Sequence, residues 1–215
     1  MAPVRLTVHL VLALLLYAAV LWTALSLLPP IPRIAAAPGL RLWAMITLIL
    51  IGSTIAAGGL VAGLHAGFTY NTFPLMDGRL VPAGYADLSP FGLNFIANIA
   101  AVQFDHRVLA TLTLLATAWL LRKAWPHRAV LGWRIPTLGV AIALQYALGV
   151  TTLLLAVPID LAIAHQGGAT LLLTAALLLA HAIRPYAGMA HGQPARHTPS
   201  YPLIVPPSSA EETAQ

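Results

Sequence analysis

The chain has 215 residues, of which 59% are hydrophobic and only 8% are charged, and its formal net charge is +5. A soluble domain carries about 25% charged residues, so this composition excludes a water-soluble globule. Cysteine is absent, which excludes disulfides and thiolate metal ligands. The basic residues form no single patch, so we expect no nucleic acid partner, and membrane lipid becomes the expected surroundings of the chain.

Five apolar runs reach the ~20 residues that an α-helix needs to cross a ~30 Å hydrocarbon core. They predict an all-α integral membrane protein with about five transmembrane helices, at residues 6–28, 42–64, 95–121, 135–157 and 161–183. The first run is too long, and lacks the cleavage site, for a signal peptide alone. We therefore interpret it as a true membrane span.

The positions of lysine and arginine predict the orientation, because these residues concentrate in cytoplasmic loops. With the N-terminus outside, the inner segments hold Arg33, Arg41, Arg122, Lys123, Arg128, Arg134, Arg184 and Arg196. The outer segments then hold only Arg5 and Arg79. We expect the outer loop at residues 69–94 to form an ordered cap. The tail, residues 185–215, is rich in Pro, Ser, Ala and Gly and is predicted to be a disordered cytoplasmic segment.

Ionisable residues within a span are costly and usually face a cavity or a partner. His106 and His165 lie near the outer ends of the third and fifth predicted helices, which run in the same direction. Neighbouring helix axes are ~8–10 Å apart, so the two imidazoles approach each other without touching. Because neutral imidazole is a good axial ligand for heme iron, the pair predicts a heme site with both histidines as metal ligands. A lone membrane histidine more often makes an interhelical hydrogen bond, and only the matched depth of the two favours heme.

Neighbouring residues suit such a site. Arg107 is predicted to neutralise a heme propionate, and Gln103 lies one turn before His106 on the same helix face. Asp105 is expected to orient an imidazole. Gly167 and Gly168 follow His165 and leave that helix face open for a broad ring.

Two repeated patterns complete the residue analysis. Gly59, Gly63 and Gly67 recur every four residues, which is typical of close helix packing and predicts no chemistry. His9 opens an apolar run much as His165 does, so the first span resembles a copy of the last. Duplicated helical units of this kind are common in membrane proteins.

Several motifs closely resemble those of the heme A synthase family. They are GGLVAGLHAG at residues 58–67, YNTFPLMDG at 70–78, VQFDHR at 102–107 and LAIAHQ at 161–166. The resemblance implies two four-helix halves, each with a histidine pair. It implies that the second half holds heme B, and that the first receives heme O, whose C8 methyl is oxidised to the formyl group of heme A for terminal oxidases.

On this resemblance the chain is an oxidoreductase of a bacterial-type inner membrane, supplied with electrons by an unidentified donor. Residues 39–184 resemble the heme-B-binding domain, with His106 and His165 as iron ligands. Residues 1–28 resemble the last helix of a first half, in which His9 matches a ligand of the substrate heme. His65 stands where the family commonly has Asp.

The chain begins at what resembles the family's fourth helix, so the other first-half histidine and an acidic residue implicated in catalysis are not among its residues. We expect a fragment, a mis-started reading frame, one part of a split enzyme, or a short form that works as a homo-oligomer. Two rival functions stay open. One is a bis-histidine b-type cytochrome that only transfers electrons, and the other is a small transporter with a histidine proton relay.

Overall fold

Five long α-helices make up most of the computed structural model, which describes residues 3–28 and 37–184. They are α1 (Pro3–Leu27), α2 (Pro38–Gly63), α3 (Ile99–Ala124), α4 (Arg134–Leu154) and α5 (Ile159–Ile183). No β-strand occurs in these two described ranges. All five helices are long and apolar enough to cross a membrane. The predicted fold class is confirmed: this is an all-α, multi-pass membrane protein.

The helix ends follow from local chemistry. The third apolar run begins at residue 95, but α3 begins at Ile99 because Asn98 caps it: the Asn98 side chain accepts hydrogen bonds from the amides of Ala100 (2.9 Å) and Ala101 (3.3 Å). Residues 94–97 form a separate helical turn before this cap. Between α4 and α5 the chain reverses through Ala156 and Val157, both in the left-handed region with φ of 57° and 59°.

Four of the helices form a bundle. α2 and α4 each pack against both α3 and α5, so α3 and α5 lie diagonally opposite each other. α1 lies outside this bundle, against α2 and α5. The two helices that carry His106 and His165 are therefore held apart by the two helices between them.

The repeated glycines act in packing, as predicted. A Cβ added at Gly59 would lie 3.0 Å from the Thr7 hydroxyl of α1, and one at Gly63 would lie 2.9 Å from the Pro3 backbone. Gly67 lies against Val157 in the turn between α4 and α5. These small residues let α1 and the interhelical turn approach α2 closely.

The apolar core is concentrated at one end of the bundle. We call the end with the connections at residues 64–98 and 155–158 the loop end, and the end with the connection at 125–133 the opposite end. In α5 every buried residue lies between Leu172 and Ile183, towards the opposite end. The core there also includes Leu120, Leu131 and Leu138. The loop-end half of α5 contains no buried residue.

Aromatic and cationic residues also favour the opposite end. The chain has five tryptophans, and all lie within or beside the turns nearest that end: Trp22, Trp43, Trp119, Trp125 and Trp133. Arg122 and Lys123 stack on Trp119 at 5.4 and 5.3 Å, and Arg128 and Arg134 stack on Trp125 and Trp133 at 5.4 and 5.0 Å. Tryptophan with Lys and Arg is typical of the membrane–water interface.

The loop between α2 and α3 is ordered, as expected, by two asparagines. Asn94 is fully buried; its amide donates to the carbonyls of Leu88 (3.0 Å) and Phe91 (2.8 Å). The Asn98 amide donates to the carbonyl of Gly84 at 2.7 Å. The predicted disordered tail at 185–215 lies outside the described residues.

Candidate functional site

The two predicted iron ligands lie on the diagonal helices of the bundle. His106 belongs to α3 and His165 to α5, and both side chains are partly buried. His106 is the eighth residue of α3 and His165 the seventh of α5, so both lie about two turns from the loop end of their helices. The two histidines therefore lie at similar depth in the bundle.

His106 is held by α2. Its Nδ1 lies 3.1 Å from the carbonyl oxygen of Thr54. A carbonyl only accepts hydrogen bonds, so Nδ1 carries the ring proton and Nε2 keeps its lone pair. Gly58, one turn further along α2, gives the ring room: a Cβ there would lie 3.1 Å from His106 Cε1.

His165 is held by α4 in a similar way. The Nε2 amide of Gln145 lies 3.2 Å from His165 Nδ1 and 2.9 Å from the His165 carbonyl. Gly149, one turn after Gln145, faces the ring: a Cβ there would lie 2.7 Å from His165 Cε1. In both pairs, a group on the preceding helix contacts Nδ1, and a glycine four residues later admits the ring.

This donor set suits iron in a flat macrocycle. A metal-ligating histidine usually donates its other ring N–H to a carbonyl or carboxylate, which fixes the ring orientation, and His106 Nδ1 faces such an acceptor in the Thr54 carbonyl. In the described part of the chain no group of three or more His, Cys, Asp or Glu side chains could hold a metal ion. Two imidazole nitrogens supply only the axial ligands that heme iron takes from a protein, and the looser loop-end half of α5 lies beside them.

Gln103 and Arg107 contact the loop between α2 and α3. Arg107 donates to the carbonyls of Tyr70 (2.6 Å) and Thr72 (2.7 Å), and the Gln103 amide also donates to Tyr70, at 3.2 Å. Within the described residues, Arg107 Nε and Gln103 Oε1 are buried and have no hydrogen-bond partner. Both side chains thus fasten the loop to α3 and retain one free polar atom each.

Asp105 does not orient an imidazole, contrary to the expectation. Its carboxylate accepts a hydrogen bond from the Tyr85 hydroxyl at 2.9 Å, while the Nδ1 atoms of the histidines contact Thr54 and Gln145. Burial, together with the hydrogen bond to Asp105, raises the pKa of the Tyr85 phenol. This pair is a second fastening of the loop onto α3.

Two other sequence candidates lie away from this pair. His9 is exposed on α1, on a different face from Thr7 and Leu10, which contact Gly59 of α2. His65 is exposed, has φ 55°, and lies between the end of α2 and a short helical turn at Ala66–Phe68. Gly167 faces open space, as predicted, whereas Gly168 contacts the Gln145 amide.

The residues that hold the imidazoles were missed in the sequence. Gln145 and Gly149, like Thr54 and Gly58, are four residues apart. Thr54 contacts the ring through its backbone carbonyl, which its residue type does not reveal. Gln145 is an amide within a span, and a buried polar side chain needs a hydrogen-bond partner, but the sequence does not identify that partner.

The fold and the site define a class of protein: a multi-pass helical membrane protein with two imidazoles held on diagonal helices. The family model described as "Cytochrome oxidase assembly protein", COX15-CtaA, matches residues 1–177. The chain belongs to this family, and the resemblance that the motifs indicated is confirmed.

Curated relatives agree. The chain is 54% identical over 190 residues to a heme A synthase of Granulibacter bethesdensis, covering 85% of this chain and 48% of the relative. It is 46% identical over 185 residues to a heme A synthase of Nitrosospira multiformis, covering 84% and 52%. It is 41% identical over 192 residues to heme A synthase COX15 of Arabidopsis thaliana, covering 85% and 42%. The chain thus spans about half the length of the curated relatives it matches. No solved structure is significantly similar to it.

Proposed function

We propose that this chain is the heme-B-binding half of a heme A synthase of a bacterial-type inner membrane. The observation that carries the proposal is that a neighbouring helix contacts Nδ1 of both imidazoles: the Thr54 carbonyl at His106, which leaves Nε2 of His106 free for iron, and the Gln145 amide at His165. The names of the relatives favour this enzyme over an electron-transfer cytochrome or a transporter.

Each residue has a defined task in this proposal. His106 and His165 would hold the iron of heme B, and the bound heme would supply electron transfer. Arg107 Nε and Gln103 Oε1, buried and free of partners in the described chain, are the atoms proposed to contact the heme edge. The outer loop, fastened by Arg107, limits access of water to the loop end.

The oxidation of heme O requires a second site. We propose that His9 is one ligand of the substrate heme, as the resemblance implies. Since His9 is exposed and directed away from the contacts of α1 with α2, its site takes residues from a first-half segment or from a second copy of the chain. There the C8 methyl of heme O loses four electrons and gains one oxygen atom to become the formyl group of heme A, so an oxygen source and a redox partner outside this chain complete the reaction.

The proposal is tested in a host that makes heme O and has no heme A synthase of its own. The purified 215-residue chain is expected to show a low-spin b-type spectrum. His106→Ala and His165→Ala are each expected to lose most of the heme because one axial ligand is removed. His127→Ala, at the opposite end, is the matched control and is expected to keep it.

Extraction of the hemes from the same cells tests the reaction. We expect heme A only when a first-half polypeptide is supplied together with the chain. Heme A from the chain alone would contradict this expectation and indicate that a second copy completes the substrate site. Full heme content in the double variant lacking both ligands would contradict the site. A b-type spectrum that never yields heme A, even with the first half present, would favour the electron-transfer cytochrome.

A further inference from the structure

The two iron-ligand candidates are held by chemically different groups. His106 Nδ1 contacts a backbone carbonyl of α2, fixed within the helix, at 3.1 Å. His165 Nδ1 contacts the side-chain amide of Gln145, at 3.2 Å. The carbonyl offers only an acceptor, whereas an amide has a donor end and an acceptor end.

The end of the amide that faces the ring decides whether His165 can bind a metal through Nε2. When the amide NH2 donates to Nδ1, the single ring proton of neutral imidazole must lie on Nε2, which then has no free lone pair. When the amide oxygen faces Nδ1, Nδ1 carries the proton and Nε2 is free. A half-turn about the last side-chain bond of glutamine, which has a broad torsional preference, exchanges the two ends.

The surroundings of Gln145 favour such a role. Its NH2 group faces His165, and its Oε1 is buried without a partner among the described residues. Gly168 leaves the space that the amide occupies, since a side chain there would collide with Oε1. Turning this oxygen towards a protonated Nδ1 would give it a partner, in exchange for the hydrogen bonds that the NH2 group now makes to the ring and to the His165 carbonyl.

We propose that Gln145 is the positioning residue of His165: with heme bound, its amide oxygen accepts the Nδ1–H and holds Nε2 towards the iron. The inference rests on the proposed heme site and goes beyond it by assigning an orienting group that the sequence motifs did not include. The Thr54 carbonyl keeps the proton of His106 on Nδ1, so that Nε2 is free for the metal. His165 reaches the same protonation state when the Gln145 amide oxygen faces its Nδ1.

Three variants of the full chain test the assignment. Gln145→Leu keeps a similar volume and removes the acceptor. Gln145→Glu places a full negative charge on the acceptor. Gln166→Glu is the matched control, because it adds the same charge next to His165 from an exposed side chain that has no hydrogen bond to the ring.

The readouts are the rate of heme transfer to apomyoglobin, the reduction potential and the electron paramagnetic resonance spectrum of the ferric heme. Loss of an orienting partner of a metal ligand typically costs about 10–100-fold in metal affinity, so Gln145→Leu is expected to release heme about 10–100-fold faster. Gln145→Glu is expected to keep heme and lower its potential, because a carboxylate increases the basicity of the imidazole. Gln166→Glu is expected to stay near the wild type in all three.

Wild-type release rate, spectrum and potential in Gln145→Leu would overturn the assignment while leaving the heme site intact. If Gln145→Leu does not accumulate in the membrane, Gln145→Glu decides: a potential equal to that of Gln166→Glu refutes the assignment. A wild-type chain that binds no heme would refute the proposed function and this inference together.

Discussion

At the residue scale, the site depends on two glycines as much as on its histidines, because glycine has no side chain to occupy the space of a ring. Gly58 and Gly149 lie directly against the rings of His106 and His165. Glycine within a helix costs about 0.5–1 kcal/mol relative to alanine, so an alanine at such a position would ordinarily stabilise the helix. Here the missing Cβ allows each imidazole to reach the helix that fixes its Nδ1.

Gly149→Ala and Gly58→Ala are therefore expected to displace the imidazoles. The added methyl groups would lie 2.7 and 3.1 Å from a ring carbon, and overpacking of this kind costs about 1–3 kcal/mol. Heme content and the melting temperature of the heme-loaded protein should both fall, more in Gly149→Ala. Gly52→Ala is the control, because nothing lies within 4 Å of its added methyl, and there the melting temperature should rise or stay the same. Equal behaviour of all three variants would show that the glycines do not accommodate the rings.

At the scale of elements, the loop between α2 and α3 is fastened to α3 by side chains of that helix. Arg107 holds the carbonyls of Tyr70 and Thr72, and Asp105 holds the hydroxyl of Tyr85. Further along, Thr72 accepts the amide of Asp77, and Met76 and Arg79 exchange backbone hydrogen bonds. The residues that order the loop, Asp105 and Arg107, therefore belong to the same turn of α3 as His106.

Arg107→Met is expected to loosen this loop, because it removes two charge-assisted hydrogen bonds and keeps the side-chain length. Hydrogen bonds to charged groups contribute ~1.5–3 kcal/mol, so amide exchange at residues 70–79, followed by mass spectrometry, should become at least about tenfold faster. Arg79→Met removes a charge within the loop and is the control. Faster exchange at 172–183 as well would indicate general unfolding, and unchanged exchange at 70–79 would contradict the fastening.

Much of this arrangement was predictable from the sequence. Hydropathy and length locate all five helices, and the two histidines pair because parallel spans bring equal depths together. The start of α3 was placed four residues early because residues 95–98 continue an apolar run, and the capping side chain of Asn98 interrupts the helix there. Gln145 and Thr54 could not be assigned, since the rotation of α4 about its axis relative to α5, and of α2 relative to α3, is set by packing. The prediction that Asp105 orients an imidazole was wrong for the same reason. Asp105 is next to His106 in the chain, but its carboxylate contacts Tyr85, and the sequence does not show that contact.

At the scale of the whole molecule, the charge distribution predicts one orientation. The opposite end carries Arg41, Arg122, Lys123, Arg128 and Arg134, whereas the loop at the other end carries Arg79. A phosphatase fused after Asp77 should be active, and a green fluorescent protein fused after Lys123 should fluoresce, because positively charged loops stay in the cytoplasm. The reverse result at both positions would place the heme pair on the cytoplasmic side and contradict the orientation.

The tryptophans at the opposite end imply that the two ends of the molecule interact differently with the bilayer. Tryptophan with Lys and Arg anchors a protein at the level of the lipid headgroups, and within residues 3–28 and 37–184 these tryptophan–cation pairs lie at the opposite end. A change in hydrocarbon thickness is accommodated by tilting or by local thinning or thickening of the lipid. The adjustment should then fall on the loop end, whose first half of α5 has no buried residue. Hydrophobic mismatch would accordingly change the structure at the end of the bundle where the two imidazoles lie.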